Sequence, residues 1–508
     1  MATDGASSSF KTQLFINNEY VDAQSGESFP LYNPADESLL HPAIQAAGPA
    51  DIDAAVAGAQ AAFKHGSPWR SSFPAKRRAA AMHKLADLIE ANAAELGRLE
   101  TLAMGQPPLV AGMMAQWTAD TFRYYAGWAD KIAGETFPAE QDENGDGGPG
   151  TYKIVKYEPL GVCAGVGAWN AAQTTFAWKV APALAAGNTV IYKPSEKAPL
   201  GVLALGALIK EAGFPPGVVQ LVSGGGSTGA LLASHPAIAK ISFTGSVATG
   251  RKIQEAAIRS NMKRVTLELG GKSPALVFAD ADLDNAVQQC SINFLLNSGQ
   301  VCVAASRTLV QEEIADAFVE RLKAVFEHTA KAMRDPTLEG AHPLQFLGPM
   351  ADRAQFDRVM GFIERAKAAA ADADNGKLLT GGGRVGDKGL FVEPTIFVNP
   401  KPDSEIYKQE VFGPVSTVRT FKTEEEAVAL ANDTSYGLSA TLYTNSISRA
   451  LRVSGLIEAG TVGVNTAFMP NNMTPFGGIK QSGSGRELGK QGILAYLEMK
   501  TIHINMGV

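Results

Sequence analysis

Apolar residues recur along this chain at two different periods. Ile52, Val56, Ala59 and Phe63 fall at helical spacing behind Asp51, which reads as the cap. A second helix begins near Pro74 and sets Met82, Leu85, Leu88, Ile89 and Leu96 on one side. Leu14 to Val21 reads as one short strand ahead of both. From Glu158 to Gly270 the pattern changes. Short β-branched runs (Val190 to Lys193, Val218 to Val222, Ala239 to Phe243, Val265 to Leu269) alternate with helical stretches, the βαβ pattern of a parallel sheet covered by helices. Pro274 to Phe278 opens a further strand, and helical segments after Leu283, Ile314 and Ala354 predict a second α/β unit reaching about Gly478. The polar run Gln141 to Gly150, followed by strand-like Thr151 to Tyr157, predicts a hairpin that is either an association arm or a surface loop. At the end Ile502 and Ile504 alternate with Thr501, His503 and Asn505, predicting a half-buried terminal strand able to complete a partner's sheet.

Composition narrows the function classes. A chain of 508 residues exceeds one compact core, so two or more domains are expected. With 45% hydrophobic and 19% charged residues it reads as a folded globular protein. A net charge of -6 provides no broad cationic field, so neither nucleic acid nor an anionic membrane is expected as a partner. No run approaches the roughly 20 apolar residues that span a bilayer. Cys163, Cys290 and Cys302 lack disulfide or metal-ligand spacing, and neither end carries a targeting signal; reduced thiols and a cytoplasmic location are expected.

Three segments carry candidate chemistry. Asn297 to Ser306 places the Cys302 thiol after a Gly-containing loop among small neighbours, which leaves room for an electrophile. A cysteine is otherwise a small core residue. Val265 to Lys272 places Glu268 in an apolar strand that ends at Gly270-Gly271, where burial would raise its pKa toward a general base's range; the alternative is an exposed strand face. Gly165 to Asn170 sets the Asn170 amide at a strand end, as an oxyanion donor or simply as a turn former.

Together these segments resemble the aldehyde dehydrogenase superfamily over nearly the whole chain. Glu268-Leu269-Gly270-Gly271-Lys272 and Gly299-Gln300-Val301-Cys302 look like its two active-site signatures. Phe243 to Ser246, Lys193 to Glu196, Glu410 to Pro414 and Pro475 to Glu487 resemble further family blocks in the expected order. Ala168 stands where the family most often has Pro, as in some betaine-aldehyde-type members. The resemblance implies an α/β fold with a Rossmann-like NAD-binding domain (1–137 and 158–271), a catalytic α/β domain (272–481) and a bridging oligomerisation element (138–157 and 482–508). It implies a homodimer or homotetramer. It also implies attack by Cys302 on an aldehyde, an oxyanion held by Asn170 and the Cys302 N–H, and hydrolysis of a Cys302 thioester by water that Glu268 activates. Thiolate chemistry suits this, because a cysteine near neutral pH is already strongly nucleophilic. No metal is implied.

By the same resemblance, Gly245 and Ser246 meet the cofactor's pyrophosphate, Lys193 and Glu196 its adenosine ribose, and Glu410 its nicotinamide ribose, with Phe412 and Trp169 as walls. NAD is the expected cofactor and NADP use is possible, since Glu196 would repel a 2′-phosphate while Lys193 and Lys197 lie nearby in sequence. Ala171, Thr175, Trp178, Leu296, Val301, Val303 and Phe476 are the expected substrate pocket. Ala171 and Thr175, at helical spacing, should face one channel and leave space for a bulky or aromatic aldehyde, with betaine aldehyde or a small aliphatic aldehyde as alternatives. Rival readings are a thiol esterase or acyltransferase on the same Cys302 and Glu268, which would turn over without nicotinamide, and a non-catalytic protein on the same scaffold.

Overall fold

The computed structural model describes residues 10–139, 150–338, 347–371, 375–467 and 470–506. The turn expected over 141–149 lies outside them. An eight-stranded sheet runs in the order Gly483–Ser484, Arg264–Glu268, Lys240–Thr244, Val162–Val166, Thr189–Lys193, Val219–Leu221, Leu14–Ile16, Glu19–Val21. Its five central strands are parallel. Three of them, Val162–Val166, Thr189–Lys193 and Val219–Leu221, are buried at every position, because helices cover both faces. From Val162–Val166 the chain steps outward one way to Val219–Leu221, then returns to add Lys240–Thr244 and Arg264–Glu268 on the other side. That reversal opens a crevice beyond the carboxyl ends of Val162–Val166 and Lys240–Thr244. The site is built there.

Leu269 to Ser273 carries the chain into a seven-stranded sheet, ordered Lys377–Thr380, Thr395–Val398, Val415–Phe421, Arg307–Gln311, Pro274–Val277, Ser439–Tyr443, Thr461–Val464. A three-stranded sheet joins Leu497–Asn505, Thr151–Pro159 and Glu135–Phe137. Among the described residues no helix is long and apolar enough to cross a membrane.

Several local expectations shift for identifiable reasons. Leu14 to Val21 is a hairpin rather than one strand, because Asn17 and Asn18 adopt φ of 53° and 65° and turn the chain back. Asp51 is not the cap of its helix. The helix spans Pro49–Phe63 from Gly48, and the Asp51 carboxylate accepts the Gly48 N–H at 2.9 Å from the third helical position. The helix after Pro74 ends at Ala91, so Leu96 belongs to the next, Ala93–Met104. The terminal strand pairs with this chain's own Thr151–Pro159 along its length, and Met499 stays 63% exposed. Gly483–Ser484, expected in the bridging element, pairs instead with Leu267 and Glu268 at the edge of the large sheet.

Candidate active site

The crevice is a cavity of about 640 Å³ that Cys302, Glu268, Asn170, Trp169, Lys193, Glu196, Gly245, Ser246, Glu410 and Phe412 all line. Four backbone features converge on it. Val162–Val166 ends in Gly167, Ala168, Trp169 and Asn170. Lys240–Thr244 ends in Gly245 and Ser246, and Ser246 caps the helix Val247–Ser260 by accepting the Thr249 N–H at 3.3 Å. Glu268 is the last residue of its strand. Cys302 follows Asn297, Ser298 and Gly299, three successive residues with φ of 52°, 55° and 70°.

Packing explains both that loop and the Gly pair. A side chain on Gly299 would meet the Gly413 carbonyl at 2.3 Å. One on Gly270 would strike the Glu410 carboxylate at 2.0 Å, and one on Gly271 the Cys302 carbonyl at 2.5 Å. The loop is pinned by Ser298, whose hydroxyl donates to Gly348 O at 2.6 Å, and by Gln300, whose amide oxygen accepts the Ala351 N–H at 3.0 Å. Glycines therefore let two chain segments close on the thiol.

Asn170 donates one amide hydrogen to Gln300 O at 2.9 Å, which leaves the second for the cavity. Its own carbonyl accepts from the Gln106 amide at 3.1 Å. Glu268 is buried, and neither carboxylate oxygen has a hydrogen-bond partner among the described residues. Burial raises its pKa well above the ordinary carboxylate range; Glu487 adds to the rise, while Lys179 and Arg486 oppose it. Burial likewise pushes the Cys302 thiol up to about 12, helped by Glu410 and Glu268 and opposed by the Cys302 and Val303 N–H groups. In these surroundings the thiol form of Cys302 is favoured over the thiolate. The nearby Glu410 and Glu268 carboxylates disfavour a further negative charge on its sulfur. Glu410 is raised to about 7 by burial, although one of its oxygens accepts the Gly271 N–H at 2.9 Å.

The cavity fits a dinucleotide. Free N–H groups at the start of Val247–Ser260 suit a pyrophosphate, and Glu196 is 47% exposed with its carboxylate 3.7 Å from the Lys193 ammonium. The Trp169 and Phe412 rings meet edge to face at 5.2 Å. Phe412 has φ +59° and is held by the Gln355 amide, which donates to its carbonyl at 2.8 Å.

On the other side of Cys302, Trp178, Val301, Val303 and Phe476 pack together with Trp117, Leu438 and Leu488. Trp178 meets Trp117 at 5.7 Å and Phe476 at 5.1 Å. Ala171 precedes the helix Ala172–Ala186, half-buried, and Leu296 is half-buried at the start of the loop. Thr175 does not join this cluster. Its hydroxyl lies 3.1 Å from that of Tyr192, on the sheet side of the helix, because Gly167 leaves room there for both. Thr174 turns toward Met114 instead, 3.3 Å from its sulfur.

The sequence reading passed over several residues here. Lys179 and Glu487 form a buried ion pair at 2.9 Å, with Ser242 donating to Glu487 at 2.7 Å and Lys179 to Thr244 at 2.6 Å. Lys179 is the sole charged residue in the 15-residue helix Ala172–Ala186, a signal readable without the fold. Gly225 and Gly226 bring a second helix start, Gly226–Ser234, to the cavity. Met114 and Trp117, from Pro108–Ala126, are distant in sequence and had no local signal.

Known proteins agree with this architecture. A model of the Aldehyde dehydrogenase family matches residues 20–502. Over 498 residues the chain is 46% identical to human Retinal dehydrogenase 2, covering 97% of this chain and 92% of that protein. An NAD-dependent aldehyde dehydrogenase from Sinorhizobium meliloti superposes with a TM-score of 0.90 at 37% identity, covering 98% of this chain and 95% of the other. An NADP-dependent enzyme of E. coli does so with 0.90 at 36%, covering 98% of each. The chain belongs to the aldehyde dehydrogenase family and is an NAD(P)-dependent enzyme that oxidises aldehydes.

Proposed function

We propose that the product is a carboxylic acid released from a thioester on Cys302, with Glu268 as base and Asn170 as oxyanion donor. The observation that carries this is the unpartnered, buried Glu268 carboxylate lining the same cavity as Cys302 and the spare Asn170 amide hydrogen. Cys302 gives its proton to solvent water as its sulfur bonds to the aldehyde carbon. The resulting oxyanion is stabilised by the Asn170 amide and the Cys302 N–H. The nicotinamide, when bound, supplies the hydride acceptor that turns this adduct into a thioester. Glu268 then takes a proton from water, the hydroxide adds to the acyl carbon, and the carbon–sulfur bond breaks, the leaving sulfur recovering the proton that Glu268 holds so that thiol and carboxylate are both regenerated. Gly245 and Ser246 would hold the pyrophosphate, Lys193 and Glu196 the adenosine ribose, Glu410 the nicotinamide ribose, and Trp169 and Phe412 the flanks. A screen of aliphatic, aromatic, amino and semialdehyde substrates with product identification tests this reading. Turnover without nicotinamide would support the esterase alternative, and release of something other than the acid would overturn hydrolysis.

Glu196 sets a preference for NAD. Its half-exposed carboxylate accepts ribose hydroxyls and repels a 2′-phosphate. NAD should give the higher catalytic efficiency, and Glu196→Gln should narrow the gap by about tenfold. Higher efficiency with NADP in the unaltered enzyme would refute the assignment.

The substrate is a bulky or aromatic aldehyde. Trp117, Trp178 and Phe476 form an aromatic cluster against which Cys302 packs, and the neighbouring Ala171 is small, so an apolar ring is the group these side chains suit best. The human relative is a retinal dehydrogenase, and retinal is such an aldehyde. Thr175 does not contribute, so the informative variant is Ala171→Phe alone. It should depress efficiency for benzaldehyde more than for acetaldehyde, by roughly 1–3 kcal/mol of lost apolar contact. Equal losses for both would show that Ala171 does not set substrate size. The units 1–137 with 158–271, and 272–481, act as NAD-binding and catalytic domains. Within 138–157 and 482–508, the paired strands Thr151–Pro159 and Leu497–Asn505 serve a homodimer or homotetramer, for which the exposed Met499 and Ile504 offer apolar surface.

A further inference from the structure

A second cavity, of about 670 Å³, adjoins the cofactor cavity and shares Glu196, Lys197 and Gly225 with it. It therefore lies against the side where the adenosine ribose is read, and it has ample room for a phosphate. Size alone does not exclude a 2′-phosphate. Charge can. The lining holds four carboxylates, Glu27, Glu37, Glu196 and Asp352, against two cations, Lys197 and Arg353. Both cations are occupied. Arg353 is paired with Glu37. Lys197 is held by Asp352 at 2.8 Å, and its ammonium sits 5.4 Å from the Trp169 ring centroid. Lys193, which also approaches Glu196, is buried and donates to Pro194 O at 3.0 Å.

We propose that Asp352 is a cofactor-specificity residue: by engaging Lys197 across the cleft and adding its own negative charge, it denies a 2′-phosphate the cation that would otherwise receive it. The inference rests on the reading that Glu196 faces the adenosine ribose. Asp352 comes from the second α/β unit, capping the helix Arg353–Ala369 by accepting the Gln355 N–H at 2.8 Å, whereas Lys197 follows Thr189–Lys193 of the first. Discrimination against NADP thus depends on an ion pair bridging the two units, although Asp352 itself is absent from the lining of the cofactor cavity. An ammonium released from this pair would retain its position beside Glu196 and gain a dianionic partner.

The substitution Asp352→Asn isolates the charge, because Asn caps a helix as well as Asp does. Calorimetric binding of 2′,5′-ADP and of 5′-ADP reads the effect without catalysis, and the ratio of their affinities cancels any general loosening of the helix. That ratio should move toward 2′,5′-ADP by about tenfold in Asp352→Asn, and the shift should shrink at high salt. Asp352→Ser, which also caps, should behave alike and serves if the Asn variant is unstable. Adding Lys197→Gln to Asp352→Asn should cancel most of the gain; a gain that survives intact would overturn the role of Lys197. Glu196→Gln separates the premises. If it shifts the ratio while Asp352→Asn leaves it within twofold, the inference fails and the ribose reading stands. If Glu196→Gln leaves the ratio unchanged, the ribose reading fails and takes the inference with it.

Discussion

Cys302→Ala should abolish aldehyde oxidation, by at least about 10⁴-fold, while leaving equilibrium binding of NAD within a fewfold of normal. The thiol is the one cysteine that lines the cavity, whereas Cys163 and Cys290 are buried in the apolar cores. Cys163→Ala and Cys290→Ala should accordingly keep turnover, with losses confined to thermal stability. Tryptophan fluorescence titration with NAD separates lost chemistry from lost folding, since Trp169 lines the cofactor cavity. A folded Cys302→Ala protein that still oxidises aldehydes at near-normal rates would remove the nucleophile from the mechanism.

Glu268→Gln should stall the enzyme after hydride transfer. Steady-state turnover should fall by about 10²–10⁴-fold, yet rapid mixing should still show a burst of reduced nicotinamide near one per active site, with the acyl group retained on Cys302 and detectable by intact-protein mass. The pH dependence follows from the direction of the shifts. Glu268 must be ionised to accept a proton, and burial raises its pKa, so hydrolysis in the unaltered enzyme should increase as pH rises through a value well above the ordinary carboxylate range. The Cys302 thiol is also raised, partly by the Glu268 charge. A neutral Gln removes that contribution, which lowers the thiol pKa and should move the onset of the burst to lower pH. A variant lacking both burst and turnover would assign Glu268 to thiol activation instead of hydrolysis.

The alternating strands and helices were legible because helix-covered parallel strands are written as short β-branched runs; Val190 to Lys193 and Ala239 to Phe243 each fall within one residue of the observed strands. Those cavity-lining residues that lie in the short contiguous family blocks, from Trp169 to Phe412, were legible too, whereas Gly225 and Gly226 were not. The Asn17-Asn18 turn and the Gly48 cap were misread because one-residue choices of backbone conformation decide them.

By itself, then, the sequence determined the fold class, the family and the residue types available for chemistry, all properties carried by local pattern. It could not determine which side chains share a space when they come from distant segments. Lys179 pairs with Glu487 across 308 residues, Met114 and Trp117 face the helix of Trp178, and Lys197 meets Asp352 across the two units. Helical spacing placed Ala171 and Thr175 on a common face, but that face is wide enough for its two edges to meet different neighbours, and the Tyr192 hydroxyl draws Thr175 to the sheet. Nor could the sequence show that the surroundings of Cys302 favour its thiol form, because a pKa belongs to the cavity and to the carboxylates folded around it, and those exist only once the chain has closed.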